Sequence, residues 1–195
     1  MTAEDTSGST RRLGVALAPG GLCVVQDLLN STGVPVAPTL ELLDDETVAQ
    51  SWLDDSLRTW GEQTGQPPPR ISLAREDLAP LRALRDHVRS WLTNDADDQT
   101  RHPLVADVSY CNGRLTYAPG GGGAKAVASL VYLEAVLASH TGTLARLKTC
   151  MNPDCGAAFY DMSRNSTRVW HDMRTCGNTM NLRASRARRR ATPAS

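Results

Sequence analysis

Four side chains able to ligate a soft metal ion stand close together in the last quarter of the chain: Cys150, Cys155, His171 and Cys176. Three thiolates and one imidazole in a C-x4-C…H-x4-C arrangement have the number and type of ligands of a closed tetrahedral Zn²⁺ site. This tetrad constrains the fold more than any other feature. The segment carrying it has few large apolar side chains, and a module so short needs an ion as its staple. Met151-Asn152-Pro153-Asp154 suits a tight knuckle between the first pair, and Gly156 permits close backbone approach to the ion. Cys176 falls near the start of a predicted helix, where the dipole favours thiolate. Four protein ligands leave no position for water, so a catalytic zinc is not expected. The competing reading, three packed cysteines and a surface histidine, leaves the segment unstapled.

At 195 residues the chain has room for one ordinary core and a small appended module. Hydrophobic residues at 41% and charged ones at 22% describe a globular protein. No apolar run approaches the ~20 residues of a membrane span. Met1 to Thr10 is polar and acidic, unlike a secretory signal, so a cytoplasmic protein is expected. In that reducing setting clustered cysteines hold metal more often than disulfides. Cys23 and Cys111 stand apart from the cluster and read as ordinary packed thiols.

The net charge of zero hides an asymmetry. Between Arg146 and Arg190 ten lysines and arginines face three acids, Asp154, Asp161 and Asp172, which gives this segment +7 and the remainder −7. Such polarity implies an anionic partner for the C-terminal module.

Residues 1–11 read as a polar tail. Leu13 to Leu29 reads as a short strand, a turn at Pro19-Gly20-Gly21, then a strand or short helix over Leu22–Leu29. Asp44 or Asp45 can cap a helix running to about Trp60, with Val48, Trp52, Leu53, Leu57 and Trp60 inward. Gly61, Gly65 and Pro67-Pro68-Pro69 stop it. A second helix begins near Asp77, with Pro80 in its first turn and Leu78, Leu81, Leu84, Val88 and Leu92 as its stripe. Asn94 to Gln99 is a polar loop. Leu104–Cys111, Asn112-Gly113 and Arg114–Ala118 form a hairpin with a two-residue primed turn. A third helix runs from about Ala124 to Ser139, packing Val127, Leu130, Val131, Leu133 and Leu137. Strands are expected near Ala158–Asp161 and Arg168–His171, with a helix entered around Cys176–Asn178. The fold class is α+β: a mainly helical domain with a small antiparallel sheet over residues 11–141, then a small treble-clef-like zinc finger over 142–190.

Residues 146–190 resemble the CGNR zinc finger family. The resemblance rests on Cys150 and Cys155, then Phe159, Asp161, Ser163 and Asn165, then Arg168, Trp170 and Met173, then Cys176-Gly177-Asn178, in order and at fixed spacing. Two positions depart from the pattern: His171 stands where the family has its third cysteine, and Thr179 where it has the arginine after Cys-Gly-Asn. Proteins with this finger usually carry an N-terminal ABATE domain and are described as stress-induced transcription regulators of bacterial type. The front of the chain resembles that domain through Asp27-Leu28-Leu29-Asn30-Ser31 and the Leu78–Leu92 helix.

The resemblance and the charge together imply DNA binding through the finger, with Arg164, Arg168, Arg183, Arg186, Arg189 and Arg190 as candidate phosphate contacts. The front domain would sense a small effector or a protein partner, and pairing of two copies is left open. Two other readings compete: a solvated basic tail, and a protein-interaction adaptor whose finger is purely structural. An enzyme is not expected. Gly120 to Gly123 suggests a phosphate loop, but Ala126 follows Lys125 where a hydroxyl should hold Mg²⁺. His87, His102 and His140 lack a nucleophile with an orienting acid. Asp44, Asp45, Asp54 and Asp55 read as caps and solvated helix faces.

Overall fold

The computed structural model describes residues 8–35, 39–93 and 101–191, and its fold is α+β. Residues 1–7 of the expected tail and the loop expected at Asn94–Gln99 lie outside the described residues. Four helices make the front part: α1 (Leu22–Leu29), α2 (Glu46–Thr64), α3 (Leu78–Thr93) and α4 (Gly123–His140). α1 is central, buried along its whole length and packed against the other three. The expected strand before it is absent: Leu13 closes a short 3-10 turn, and the chain then runs irregularly to Gly20.

Acidic side chains and a glycine account for several of the helix ends. Asp45 caps α2, its carboxylate accepting from Val48 N–H at 3.0 Å. α2 runs past Gly61 and stops at Gly65, which is left-handed (φ 66°). Gly61 persists within the helix because a Cβ there would press on Gln66 O and on the Pro68 ring. Asp77 accepts from Ala74 N–H at 2.9 Å and from Ala124 N–H at 2.8 Å, so one carboxylate steadies the starts of α3 and α4.

Trp52, Trp60, Leu53, Leu81 and Leu130 fill the core. α4 departs from its expected stripe, since Leu137 is exposed and Glu134 is buried. Trp60 Nε1 donates to Glu134 Oε1 at 2.6 Å, Tyr117 Oη donates to the same oxygen at 2.5 Å, and these bonds allow a carboxylate to sit inside. Burial, then the bond to Glu134, pushes the Tyr117 phenol well above its ordinary range. Cys23 is a packed thiol as expected, pushed up to about 12 by burial and by Asp27 and Glu134. Cys111 is exposed, contrary to expectation. It sits at the tip of a hairpin, β1 (Ala106–Cys111) and β2 (Arg114–Pro119), whose Asn112 and Gly113 both have positive φ as a primed turn requires.

The C-terminal segment has a small cluster of its own around Cys150, Cys155, Ala157 and Cys176, and shares the front core beyond it. β3 (Leu147–Thr149) pairs antiparallel with β4 (Ala158–Tyr160), and Leu147 and Ala158 belong to the same hydrophobic cluster as the front helices. Asn30 clamps β4 like an added strand: its Oδ1 accepts from Ala158 N–H at 2.8 Å and its Nδ2 donates to Ala158 O at 3.0 Å. Gln26 Nε2 donates to the same carbonyl at 3.2 Å, and Arg89 bridges Leu29 O and Gly156 O at 2.6 and 2.7 Å. Ser9 and Thr10, expected in the polar tail, are buried instead. Ser9 Oγ donates to Asp27 O and Thr10 N–H to Asp27 Oδ1, at 2.6 and 3.0 Å.

Candidate metal centre

The knuckle Cys150–Cys155 is the turn between β3 and β4. Cys150 N–H donates to Ala157 O at 2.8 Å, and the N–H groups of Cys155 and Gly156 both reach Asn152 O. Gly156 turns the chain with φ 62°. The partner of β4 therefore lies upstream of the knuckle. The strand expected at Arg168–His171 is not formed; that segment returns as a loop, tied to the knuckle by Met151 N–H donating to Val169 O at 3.0 Å.

Asp161 shapes this return. It is fully buried and accepts from Lys148 Nζ at 2.8 Å, Ser163 N–H at 2.9 Å and Arg168 N–H at 2.8 Å. Burial pushes its carboxyl up, but these bonds together outweigh burial and hold it well below the usual carboxylate range. Asp161→Ala should remove the anionic partner of the Lys148 ammonium, which keeps Ser166 O and Arg168 O, and leave two N–H groups without their acceptor. A loss of about 3 kcal/mol in unfolding free energy is expected by denaturant titration. A change under about 1 kcal/mol would show that water replaces the carboxylate.

His171 then enters the centre, and Asp172 caps a wide π turn over Met173–Gly177, accepting from the N–H groups of Arg174 and Thr175 at 3.0 and 3.3 Å. The Arg174 bond, against burial, holds Asp172 below its ordinary range. That turn delivers Cys176. A Cβ on Gly177 would overlap the Met173 sulfur and press on the Trp170 ring, which explains glycine there. α5 (Asn178–Ala191) follows directly.

The four ligand atoms of Cys150, Cys155, His171 and Cys176 all lie within 4.8 Å of one another, and His171 Nδ1 is 3.4 Å from Cys155 Sγ. A tetrahedral shell with metal–S of about 2.3 Å and metal–N of about 2.0 Å needs edges of about 3.5–3.8 Å. The residues present fit such an ion. The three cysteines are buried and His171 partly so. The neighbouring Cys155 thiol, working against burial, lowers the Cys150 thiol from its ordinary value. Asn152, whose part beyond the knuckle turn is not readable from sequence, is buried and donates Nδ2–H to Cys176 Sγ at 3.2 Å. This bond orients the thiolate and stabilises its charge.

Residues 146–189 match the model of the CGNR zinc finger family. No curated protein matches the chain. Within the finger the two departures have simple accommodations. His171 presents Nδ1, the ring nitrogen nearer the backbone, so its reach is close to that of a cysteine. His171→Cys should therefore retain one equivalent of metal by elemental analysis and keep its fold, and loss of the metal would show that the ligand belongs elsewhere. Thr179, at the family's arginine position, donates its hydroxyl to Thr175 O at 2.6 Å and carries no charge outward.

The candidate phosphate-contacting arginines divide into two groups. Arg168 is used internally: Nη2 donates to His171 O at 2.5 Å and the guanidinium lies 5.5 Å from the Phe159 ring centroid. Arg183 pairs with Asp154 of the knuckle at 2.7 Å, across two half-exposed side chains. Arg164 is exposed in the loop after Asp161, and Arg186, Arg189 and Arg190 are exposed along α5. α5 is exposed over nearly its whole length and leans mainly on the π turn before it.

Proposed function

We propose that the finger holds one structural Zn²⁺ and that the chain binds DNA through it as a transcription regulator. The observation that carries this reading is α5. It holds five arginines and no acid, and it buries no apolar stripe against the rest of the protein. A helix polar on all sides gains little from its own chain, and its charge suits a phosphate backbone. The metal fixes the entry to this helix through Cys176 and takes no part in chemistry. The front part, with its likeness to an ABATE domain, is the sensing part. A cleft of about 1040 Å³, lined by Trp91, Leu92, Leu144, Leu147, Met151 and Val169, opens where the helices meet the finger, and there we place a small apolar effector.

The test is fluorescence anisotropy of the metal-loaded chain with random duplexes, beside an RNA pool, from ~50 to ~200 mM salt. Affinity for duplex falling steeply with salt supports the reading. Preference for the RNA pool would reassign the partner. No duplex binding at ~50 mM salt, or affinity indifferent to salt, would leave the adaptor reading in front.

A further inference from the structure

We propose that two copies of this chain join edge to edge through β1, making one four-stranded antiparallel sheet in the order β2-β1-β1-β2. This inference does not depend on the DNA reading. It starts from the faces of the hairpin. Cross-strand partners share a face, so Ala106, Val108, Tyr110, Leu115, Tyr117 and Pro119 stand together on one side. Only the base of that apolar face is covered, where Tyr117 meets Trp60 and Glu134. Val108, Tyr110 and Leu115 remain 69, 73 and 62% exposed. A contiguous apolar face of this kind marks an interaction surface.

The edges differ as well. In a two-residue hairpin the closing pair, Cys111 and Arg114, is hydrogen-bonded, and bonded pairs then alternate along the ladder. The backbone groups of Leu115 and Tyr117 therefore point away from β1, and Gln66 meets both, accepting from Tyr117 N–H and donating to Leu115 O at 3.4 Å. The outer edge of β2 is thus covered by the connector after α2. By the same alternation the N–H and C=O groups of Val108 and Tyr110 face outward from β1. The strand Ala106–Cys111 contains no lysine or proline, carries Asp107 as its one charge and pairs with β2 without a bulge, so little blunts its edge.

A second copy fits this edge better than an unrelated strand does. About a twofold axis at Ser109, Val108 pairs with the partner's Tyr110, and Tyr110 with the partner's Val108. Each apolar row then runs Tyr117, Val108, the partner's Tyr110, the partner's Leu115. Tyr110 and Leu115, near the hairpin tip, gain the neighbours their own chain does not supply. On the other face Asp107 falls in one row with the partner's Arg114, which makes the charges complementary. At roughly 150–200 Å² per large side chain, the exposed fractions leave roughly 300–400 Å² on this face of each copy, and edge pairing covers the flanks of these side chains while the backbone ladder closes.

The test is sedimentation equilibrium of the metal-loaded full chain without nucleic acid, from ~1 to ~100 μM. A species of twice the 21.0 kDa chain mass is expected. Val108→Lys and Tyr110→Lys are both at exposed positions, so the chain should fold, and each should raise the dimer dissociation constant at least about tenfold. In a Cys111→Ser background, Ser109→Cys should form a covalent dimer under mild oxidation. A chain monomeric through ~100 μM, a dimer indifferent to both lysines, or a dimer that Ser109→Cys cannot cross-link would each overturn the proposal.

Discussion

A Cys176→Ser chain should emerge from purification with less than about half an equivalent of metal, and with the segment from Leu147 onward unfolded. Serine offers a neutral hydroxyl in place of a thiolate, so the shell falls to three ligands at a position that is only 1% exposed. Asn152 loses the charged acceptor of its amide at the same time. Ion binding in modules of this kind contributes about 10–16 kcal/mol, far more than Ala157 and the partly buried Leu13, Val15 and Trp170 around the centre can replace. The front part should feel the loss. Ala158 holds Asn30 and Gln26, both on or next to α1, and Leu147 and Ala158 complete the shared cluster. Hydrogen exchange should show residues 147–191 unprotected, α1 (Leu22–Leu29) weakened, and α2 to α4 largely intact. Full metal content would remove Cys176 from the ligand set. An unfolded finger with α1 unchanged would show that the shared cluster contributes nothing to the helices.

The distinction between what the sequence discloses and what it hides follows the range of the interactions. Asp45, Gly65 and Asn112-Gly113 act within a few residues, so α2 and the hairpin turn are readable from local chemistry. The ligand tetrad is readable because few arrangements place three cysteines and a histidine so near one another without an ion to collect them. Apart from Cys111, exposed at the hairpin tip, the main misreadings involve distant partners. Leu13 and Val15 look like strand residues, yet they pack against the cysteine cluster far along the chain. Glu134 takes the inward position on α4 because Trp60 and Tyr117, from other elements, donate to it. The loop at Arg168–His171 resembles a strand by composition, but Asp161 and Lys148 bend it into a return path. The polar pair Gln26 and Asn30 is buried because it meets one carbonyl more than a hundred residues away, and no local pattern announces that contact.

Replacing Arg186, Arg189 and Arg190 together by alanine should weaken duplex binding about a hundredfold or more at ~0.1 M salt, and flatten the plot of log affinity against log salt by up to about three. Each arginine that engages a phosphate releases roughly one counterion, so the slope counts the contacts that the substitution removes. These three are exposed on α5 and take no part in the packing around the metal centre, so metal content and the melting curve should not change. Arg168→Ala is the informative contrast. Its side chain holds His171 O and lies over Phe159, so it should lower stability while leaving the slope of the remaining folded protein within about one of the parent. Thr179→Arg should act in the opposite direction to the triple substitution, because it returns a cation to the start of α5 at the cost of one exposed hydrogen bond to Thr175 O. If the triple substitution left the slope unchanged, α5 would not be the phosphate-facing element. The charge asymmetry of the chain would then have to serve an acidic protein surface, whose affinity the same three substitutions should reduce without any release of condensed counterions.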